Sequence, residues 1–196
     1  MDLNEALTYV EPHLKKARFD HTIRVVETAV QLTGLHGGNK KKAELAGAFH
    51  DYAKYRPTEE LKRWILKENL PKDLLSFHYE LWHGPVGSIL VEREYGITDA
   101  EIKFAIRYHT TGRDNMSQLE KMIFLADYIE PGRNFPGVDK VREVAQTNLN
   151  EACLMALQNT IPFLMSKNQR IYPDTFYAYN FFMKLHDHEQ EERGNG

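Results

Sequence analysis

The sequence predicts an all-α fold, a bundle of about eight to ten helices, and two observations support this class. Apolar residues recur at helical spacing along most of the chain, whereas the alternating pattern of half-buried strands is rare. Helix-start signals are frequent: "TDAE" at 98–101 and "SQLE" at 117–120 have the form of capping boxes. Thr58 and Asp20 are further candidate N-caps.

Proline and glycine residues separate the helical segments. The predicted helices span roughly 2–16, 20–35, 40–53, 58–68, 80–95, 99–109, 117–130, 138–149, 151–167 and 174–188. The tail "EQEERGNG" is expected to be frayed. A chain of 196 residues can bury one core, so we expect a single domain over 1–196. Its motif core lies at about 18–130, and the C-terminal helices over 138–188 complete the bundle.

Composition excludes several classes of function. The formal net charge is −3, so nothing global favours nucleic acid, and no apolar run is long enough to span a membrane. Cys153 is the single cysteine, which rules out an internal disulfide and a zinc-finger framework. The N-terminus is acidic and amphipathic, unlike a signal peptide. We therefore expect a cytoplasmic protein that acts on neither membranes nor nucleic acids.

Histidine and aspartate residues occur on the apolar faces of five predicted helices. A polar group that is buried alone costs a few kcal/mol (about 2–7), so several such groups in one core call for a shared partner. Convergence on one cation would satisfy all of them. The inward-facing residues are His21, His50, Asp51, His83, His109 and Asp127.

A single histidine on an apolar face is more often a hydrogen-bonded core residue, so the interpretation depends on the whole set. A mixed nitrogen and oxygen donor set suits Fe, Mn, Co, Ni or Zn better than Ca or Mg. The lack of a cysteine partner argues against a structural zinc site. The other histidines are expected to be solvated or at most adjacent to the site; they are His13, His36, His78, His186 and His188.

The order His21, His50-Asp51, Asp127 follows the H…HD…D pattern and resembles that of HD-domain metal-dependent phosphohydrolases. Within that superfamily, the chain resembles the YqeK family of symmetrical bis(5′-nucleosyl)-tetraphosphatases. The segments that carry the resemblance are "RFDHTIRV", "GAFHDYAKY", "LWHGPVG", "RYHTTGR", "EKMIFLADYIEPGRNFPGVDKVR" and "RIYPDTFYAYN". They extend from about residue 18 to residue 180, nearly the whole chain.

The resemblance implies an all-α HD fold and hydrolysis of diadenosine tetraphosphate into two ADP by metal-activated water. It implies iron first, with Mn, Co, Ni or Zn as alternatives, as one ion or with a second, weaker one. The implied metal ligands are His21, His50, Asp51 and Asp127. His83 and His109 match histidines that face the phosphates or a second metal, and together with Asp51 they are assigned to catalysis.

Positions that match the surroundings of the nucleotide complete the implied site. They are Arg18, Lys54, Thr110, Arg133, Arg170, Ile171, Tyr172, Pro173, Asp174 and Thr175, with His83 and His109 at the phosphates. The implied partners are a dinucleoside polyphosphate substrate and the ADP product; a homodimer is left open.

The residues themselves leave some roles open. Arg and Lys suit phosphate, but each is also an ordinary surface cation elsewhere. Tyr172 or Tyr177 could stack on adenine, although the spacing of Tyr177, Phe181 and Leu185 favours packing of the last helix. Alternative functions are another HD-type nucleotide phosphohydrolase, such as a nucleotidase or alarmone hydrolase, and a non-catalytic nucleotide-sensing module.

Overall fold

The architecture is all-helical, as predicted. A computed structural model describes residues 1–194, and within that range it contains ten α-helices and no strand. The helices are α1 (Leu3–Val10), α2 (Lys16–His36), α3 (Lys40–Phe49), α4 (Thr58–Lys67), α5 (His83–Tyr95), α6 (Ala100–Tyr108), α7 (Gln118–Ile129), α8 (Val138–Ala145), α9 (Leu149–Ser166) and α10 (Pro173–Gly194). Three 3₁₀ turns, Glu11–His13, Lys72–Ser76 and Tyr79–Leu81, connect them.

Helix α7 lies between two apolar cores. Ile123 and Ala126 pack into a core built mainly by α1 to α6, whereas Leu125 and Ile129 pack into a second core built mainly by α7 to α10. A helix that is apolar on two sides must be covered on both sides. The C-terminal end of α7, which carries Asp127, is therefore held from both directions.

The N-terminal prediction is wrong in its boundaries. The helix expected over 2–16 is interrupted after α1, because Pro12 sits in a 3₁₀ turn and Leu14 is extended before α2 begins at Lys16. Asp20 therefore lies inside α2 and caps nothing. It accepts a hydrogen bond from the Lys16 ammonium at 3.0 Å, one helical turn earlier.

Of the three other predicted caps, one is confirmed. Ser117 and Glu120 form the expected capping box of α7. Asp99 rather than Thr98 caps α6, with its carboxylate accepting the N–H groups of Glu101 at 2.9 Å and Ile102 at 3.3 Å. Thr58 is the first helical residue of α4, whose N-cap has no side-chain hydrogen bond.

Several other helix ends differ from the prediction. Helix α3 ends at Phe49 instead of residue 53, and α5 begins at His83 after a 3₁₀ turn instead of at residue 80. Helix α8 ends at Ala145, four residues early, because Asn148 caps α9. The tail expected to fray is helical through Gly194, and residues 195–196 lie outside the described range.

Cys153 is buried in the second core, on α9 and away from every predicted site residue. Burial raises the pKa of its thiol, which keeps the group protonated and unreactive. Over the described residues, no helix is both long and apolar enough to cross a membrane.

The choice of cap on α6 is testable by stability measurements. Asp99→Ala should lower the free energy of unfolding by about 1 kcal/mol, because two N–H groups at the helix start lose their acceptor. Thr98→Ala should change it little, since Thr98 is exposed and caps nothing. Urea unfolding of both variants measures the difference, and a larger loss from Thr98→Ala would contradict the assignment.

Candidate metal centre

Three of the inward-facing histidines lie at helix ends and share one local geometry. His50 and His109 are the C-cap residues of α3 and α6, and His83 is the first residue of α5. Each Nδ1 bonds the backbone carbonyl three residues earlier: Gly47 at 2.7 Å, Ile106 at 2.8 Å and Glu80 at 2.6 Å.

These carbonyl bonds decide the tautomer of each ring. A carbonyl oxygen only accepts, so each Nδ1 must carry the hydrogen, and the neutral imidazole then has its lone pair at Nε2. The cap carbonyls are available for this because the last turn of a helix leaves its carbonyls without amide partners. The sequence thereby presents His50 and His109 with Nε2 directed away from their own helices.

His21 reaches the same state from the middle of α2. Its Nδ1 lies 3.0 Å from Oε1 of Glu130, which follows α7 directly. An ionised carboxylate can only accept, so Nδ1 again carries the hydrogen and Nε2 the lone pair.

Asp51 stands at the centre of the four rings and divides them between its two oxygens. Oδ2 lies 3.2 Å from His50 Nε2 and 3.9 Å from His21 Nε2. Oδ1 lies 3.0 Å from His83 Nε2 and 3.9 Å from His109 Nε2. The ligand atoms of each half, with the shared carboxylate, fall within 4.8 Å of one another. This arrangement could hold one cation in each half with Asp51 between them.

Two glycines permit the close helix packing that the cluster requires. A Cβ on Gly47 would lie 3.2 Å from the Val26 backbone, so its absence lets α3 approach α2. A Cβ on Gly84 would lie 2.9 Å from the Arg107 carbonyl and 3.4 Å from the His109 ring. The absence of this Cβ allows the start of α5, with His83, to lie beside the end of α6.

The donor set fits a divalent metal ion, on evidence internal to the cluster. The Nε2 lone pairs of His21 and His50 face carboxylate oxygens, Asp127 Oδ1 at 3.1 Å and Asp51 Oδ2 at 3.2 Å, which cannot donate to them, so neither buried nitrogen is hydrogen-bonded. The Nε2 atoms of His83 and His109 are 3.0 Å apart although both Nδ1 atoms are bonded to carbonyls. Unsatisfied buried polar atoms are costly, and two facing lone pairs repel, so a cation at this point resolves both problems.

The charges in the cluster also suit a cation. Burial acts to raise the pKa of the Asp51 carboxyl, but the His50 and His83 imidazoles beside it hold that pKa well below its ordinary value. Burial, together with the nearby His83 and His50 rings, lowers the pKa of His109 to about 3. At neutral pH the site therefore offers an ionised Asp51 and a neutral His109, the forms that bind metal.

Asp127 is less buried than the other predicted ligands, with 21% of its side chain exposed. Its Oδ1 lies 3.1 Å from His21 Nε2, at the rim of the cluster, and also accepts a hydrogen bond from Arg133. Arg133 further donates from Nε to the Asp127 carbonyl at 2.7 Å. Asp127 can reach a cation next to His21 when Arg133 takes another acceptor.

Three other predicted residues border the cluster. Arg18 donates from Nη1 to Asp51 Oδ2 at 3.0 Å, and Thr110 Oγ1 is 3.0 Å from His109 Nε2. Lys54 pairs with Glu80 at 2.6 Å, beside the carbonyl that holds His83.

The segment 170–175 lies at the start of α10 rather than at the metal ligands. Tyr172 is buried, packs edge-on against Phe77 at 5.0 Å between ring centroids, and directs its hydroxyl to Asp73 at 3.4 Å. Arg170 donates to the Ser76 carbonyl at 2.8 Å, and the Thr175 amide closes a turn on Tyr172. The remaining predicted positions, Ile171, Pro173 and Asp174, are partly buried in the same segment.

A surface cleft lies between this segment and residues of α5 and α6. Thr110, Tyr172 and Asp174 line it, as do Pro85 and Arg107 from the helices that carry His83 and His109. Tyr177 lies outside it and is 57% exposed, so its expected packing role is wrong. Ala178 and Phe182 form the buried face of α10 instead, one position away from the predicted stripe.

Sequence reasoning missed Glu130, which holds His21 from outside α2, and Arg24 of α2, which in turn holds Glu130. Arg24 donates from Nε to Glu130 Oε2 at 2.5 Å. Burial opposes ionisation of Glu130, but hydrogen bonds from Arg24, His21 and the Gly132 amide lower its pKa to about 2. The available signal in the sequence was the position of Glu130, three residues after Asp127 at the end of the same helix.

The histidines predicted to lie elsewhere, among them His36 and His186, are outside the cluster, as expected.

The fold and the cluster together place the chain in a known class. A protein-family model described as HD domain matches residues 18–132, the part that contains α2 to α7 and all six inward-facing residues. The chain therefore belongs to the HD-domain family of proteins.

Closer relatives identify the branch of that family. A symmetrical bis(5'-nucleosyl)-tetraphosphatase of Bacillus subtilis (strain 168) is 52% identical over 183 residues, which cover 93% of this chain and 98% of the relative. A protein of the same name from Halalkalibacterium halodurans is 53% identical over 92% of this chain and 96% of its own length. The chain thus belongs to the symmetrical bis(5'-nucleosyl)-tetraphosphatase family, as the motifs predicted.

A solved structure has the same fold. It is described as a predicted HD superfamily hydrolase involved in NAD metabolism, from Clostridium acetobutylicum, and is 38% identical. The TM-score is 0.89 over 94% of this chain and 98% of that chain.

Metal binding should stabilise the protein measurably. Saturating Mn²⁺ or Co²⁺, at about 100 times the dissociation constant, should raise the unfolding temperature of the metal-free chain by about 5–10 °C. His50→Ala should abolish this shift, since it removes a buried ligand, while His188→Ala on the exposed end of α10 should retain it. Differential scanning calorimetry of the three proteins makes the comparison. An undiminished shift in His50→Ala would remove His50 from the ligand set.

Proposed function

We propose that this protein is a metal-dependent hydrolase that cleaves diadenosine tetraphosphate symmetrically into two ADP. The observation that carries the proposal is the buried cluster of four imidazoles around Asp51, each with its lone pair directed inward. Two relatives that are more than half identical over most of the chain bear the name of this activity. The proposal includes a cytoplasmic location, which suits a chain whose one cysteine is a free thiol.

The proposed metal ligands are His21, His50, Asp51 and Asp127. A bound divalent ion supplies two things, an activated water and polarisation of a phosphoryl oxygen. The imidazole and carboxylate donors suit iron, which the family resemblance puts first, and also Mn, Co, Ni or Zn. Asp51 has one oxygen facing each half of the cluster and so fixes the two halves relative to each other.

His83 and His109 are proposed to act on the phosphates, or to hold a second, weaker ion. Because its pKa is lowered to about 3, His109 offers a neutral ring to whatever occupies the site. Both rings lie on the Oδ1 side of Asp51, away from His21 and His50. This separation supports different roles for the two pairs.

Arg18, Lys54 and Arg133 are proposed to neutralise the phosphate chain. Each now pairs with a carboxylate at or beside the cluster, so each can transfer to a phosphate oxygen without leaving the site. An Arg offers two parallel donors to phosphate and a Lys one compact charge.

The cleft beside His83 and His109 is proposed to take a nucleoside. Thr110, Tyr172 and Asp174 line it, and Arg107 adds a cation beside Asp174. The other residues of the segment, Arg170, Ile171, Pro173 and Thr175, are proposed to support this wall. In this proposal the bound nucleoside lies two phosphates from the reacting centre, so that attack falls on a central phosphorus and both halves depart as ADP.

The products formed in oxygen-18 water test the cleavage position. Attack at a central phosphorus should yield only ADP, with one labelled oxygen in half of the molecules, because one ADP of each pair keeps the bridging oxygen. Mass spectrometry reads both the fragments and the label. ATP plus AMP as the main products would contradict symmetrical cleavage. A substrate that remains intact would contradict the proposal that the protein is a hydrolase of diadenosine tetraphosphate.

Asp51→Asn should abolish turnover and lower the bound metal, because it keeps the side-chain volume and removes the charge. Metal content by plasma mass spectrometry and ADP release report the two effects separately. Asp139→Asn is the matched control, since that side chain is almost wholly exposed. Near-normal turnover in Asp51→Asn would exclude Asp51 from the site.

Arg133→Ala should lower kcat/KM by about 10- to 100-fold, on the scale of one lost charge-assisted phosphate contact. Bound metal should be unchanged, since Arg133 competes with the metal for Asp127 and does not ligate it. Lys140→Ala, an exposed cation a few residues later, should keep the wild-type rate. An unaltered rate in Arg133→Ala would make it an ordinary surface arginine.

A further inference from the structure

His21 is held differently from the other three rings. His50, His83 and His109 each use a backbone carbonyl of their own helix end or preceding turn. His21 lies in the sixth position of the 21-residue helix α2, where the preceding carbonyls already bond amides of the helix. Its Nδ1–H bonds no carbonyl of α2, and its acceptor comes from elsewhere in the fold.

Glu130 supplies that acceptor, and its own carboxylate is firmly fixed. The residue is 2% exposed and follows the last turn of α7. Oε1 faces His21 Nδ1 at 3.0 Å, while Oε2 accepts from Arg24 Nε at 2.5 Å and from the Gly132 amide at 2.5 Å. Oε1 also lies 3.4 Å from Arg24 Nη2, so Arg24 reaches both oxygens, with its short bond on Oε2.

Arg24 and Gly132 form the support of this carboxylate. Arg24 lies three residues after His21 on α2, so one helix presents both groups to Glu130. A Cβ on Gly132 would lie 2.6 Å from the Arg24 guanidinium. Position 132 therefore lacks a side chain where Arg24 must lie.

We propose that Glu130 is a positioning residue that keeps the hydrogen of His21 at Nδ1, so that Nε2 remains free to bind the metal. The inference rests on the proposed metal site, to which it adds a residue that does not touch the ion. A carboxylate behind a ligand histidine fixes its tautomer and orientation and increases its basicity.

The geometry specifies what Glu130→Gln would do. The amide oxygen should occupy the Oε2 position, because the N–H bonds from Arg24 Nε and Gly132, both at 2.5 Å, point there, whereas Arg24 Nη2 is 3.4 Å from the Oε1 position. The NH₂ group then faces His21 Nδ1, which becomes an acceptor. The hydrogen of the neutral ring moves to Nε2, where it blocks the metal.

Glu120 offers a matched control on the same helix. It is 1% exposed, accepts from Arg113 at 2.6 and 2.8 Å, and accepts from the Ser117 amide at 2.8 Å. It resembles Glu130 in burial, arginine partner and amide partner, but no histidine touches it. Glu120→Gln therefore reproduces the general cost of neutralising a buried carboxylate.

The first measurement is nitrogen-15 NMR of the metal-free protein at alkaline pH, where imidazoles are neutral. The His21 signals are assigned by their loss in His21→Gln. Wild type and Glu120→Gln should have the His21 hydrogen at Nδ1, and Glu130→Gln should have it at Nε2. A hydrogen at Nε2 in wild type overturns the proposal, even if no variant folds.

The second measurement is titration of metal-free protein with Co²⁺, followed by its absorption spectrum. Glu130→Gln should bind Co²⁺ about 10- to 100-fold more weakly than wild type, whereas Glu120→Gln should bind it normally. Equal weakening in both variants, or none in either, overturns the proposal. Neither measurement uses the substrate. An inactive wild type would therefore contradict the proposed hydrolysis, whereas the role of Glu130 would still be decided by the NMR and Co²⁺ results.

Discussion

The site depends on one constraint, the fixed position of a single hydrogen on each of four buried imidazoles. Nδ1–H bonds to oxygens that can only accept leave every neutral ring with its Nε2 lone pair directed into the cluster. Burying four lone pairs beside a carboxylate is costly, and a cation among them offsets that cost. The cluster is therefore set by three backbone carbonyls and the Glu130 carboxylate before any ion arrives.

Most of the histidine rings are oriented by groups at the ends of helices. A helix end leaves carbonyls without partners, and His50 and His109 use that deficit to orient their rings. The glycines at 47 and 84 then let the helix ends approach one another closely. Helix α7, covered by a core on each side, provides the firm base from which Asp127 and Glu130 face α2.

The cations around the cluster are already paired with its acids. Arg18 forms a salt bridge with Asp51, Arg24 with Glu130 and Arg133 with Asp127. Arg24 is bound to a fully buried carboxylate that also holds His21, which suits a permanent support. Arg18 and Arg133 pair with Asp51 and Asp127, the carboxylates that face the cluster.

The sequence by itself determined the helical class, most of the helices and the six inward-facing residues, because helical periodicity is a local property. It also determined the family, through His21, His50, Asp51 and Asp127. Only the tertiary structure decided that Glu130, 109 residues away in sequence, holds His21, and that Asp127 pairs with Arg133 at the rim. It likewise showed that Asp99 rather than Thr98 caps α6, and that Tyr177 is exposed. Hydrogen bonds of this kind depend on which groups face each other after packing, and neither spacing nor composition records that direction.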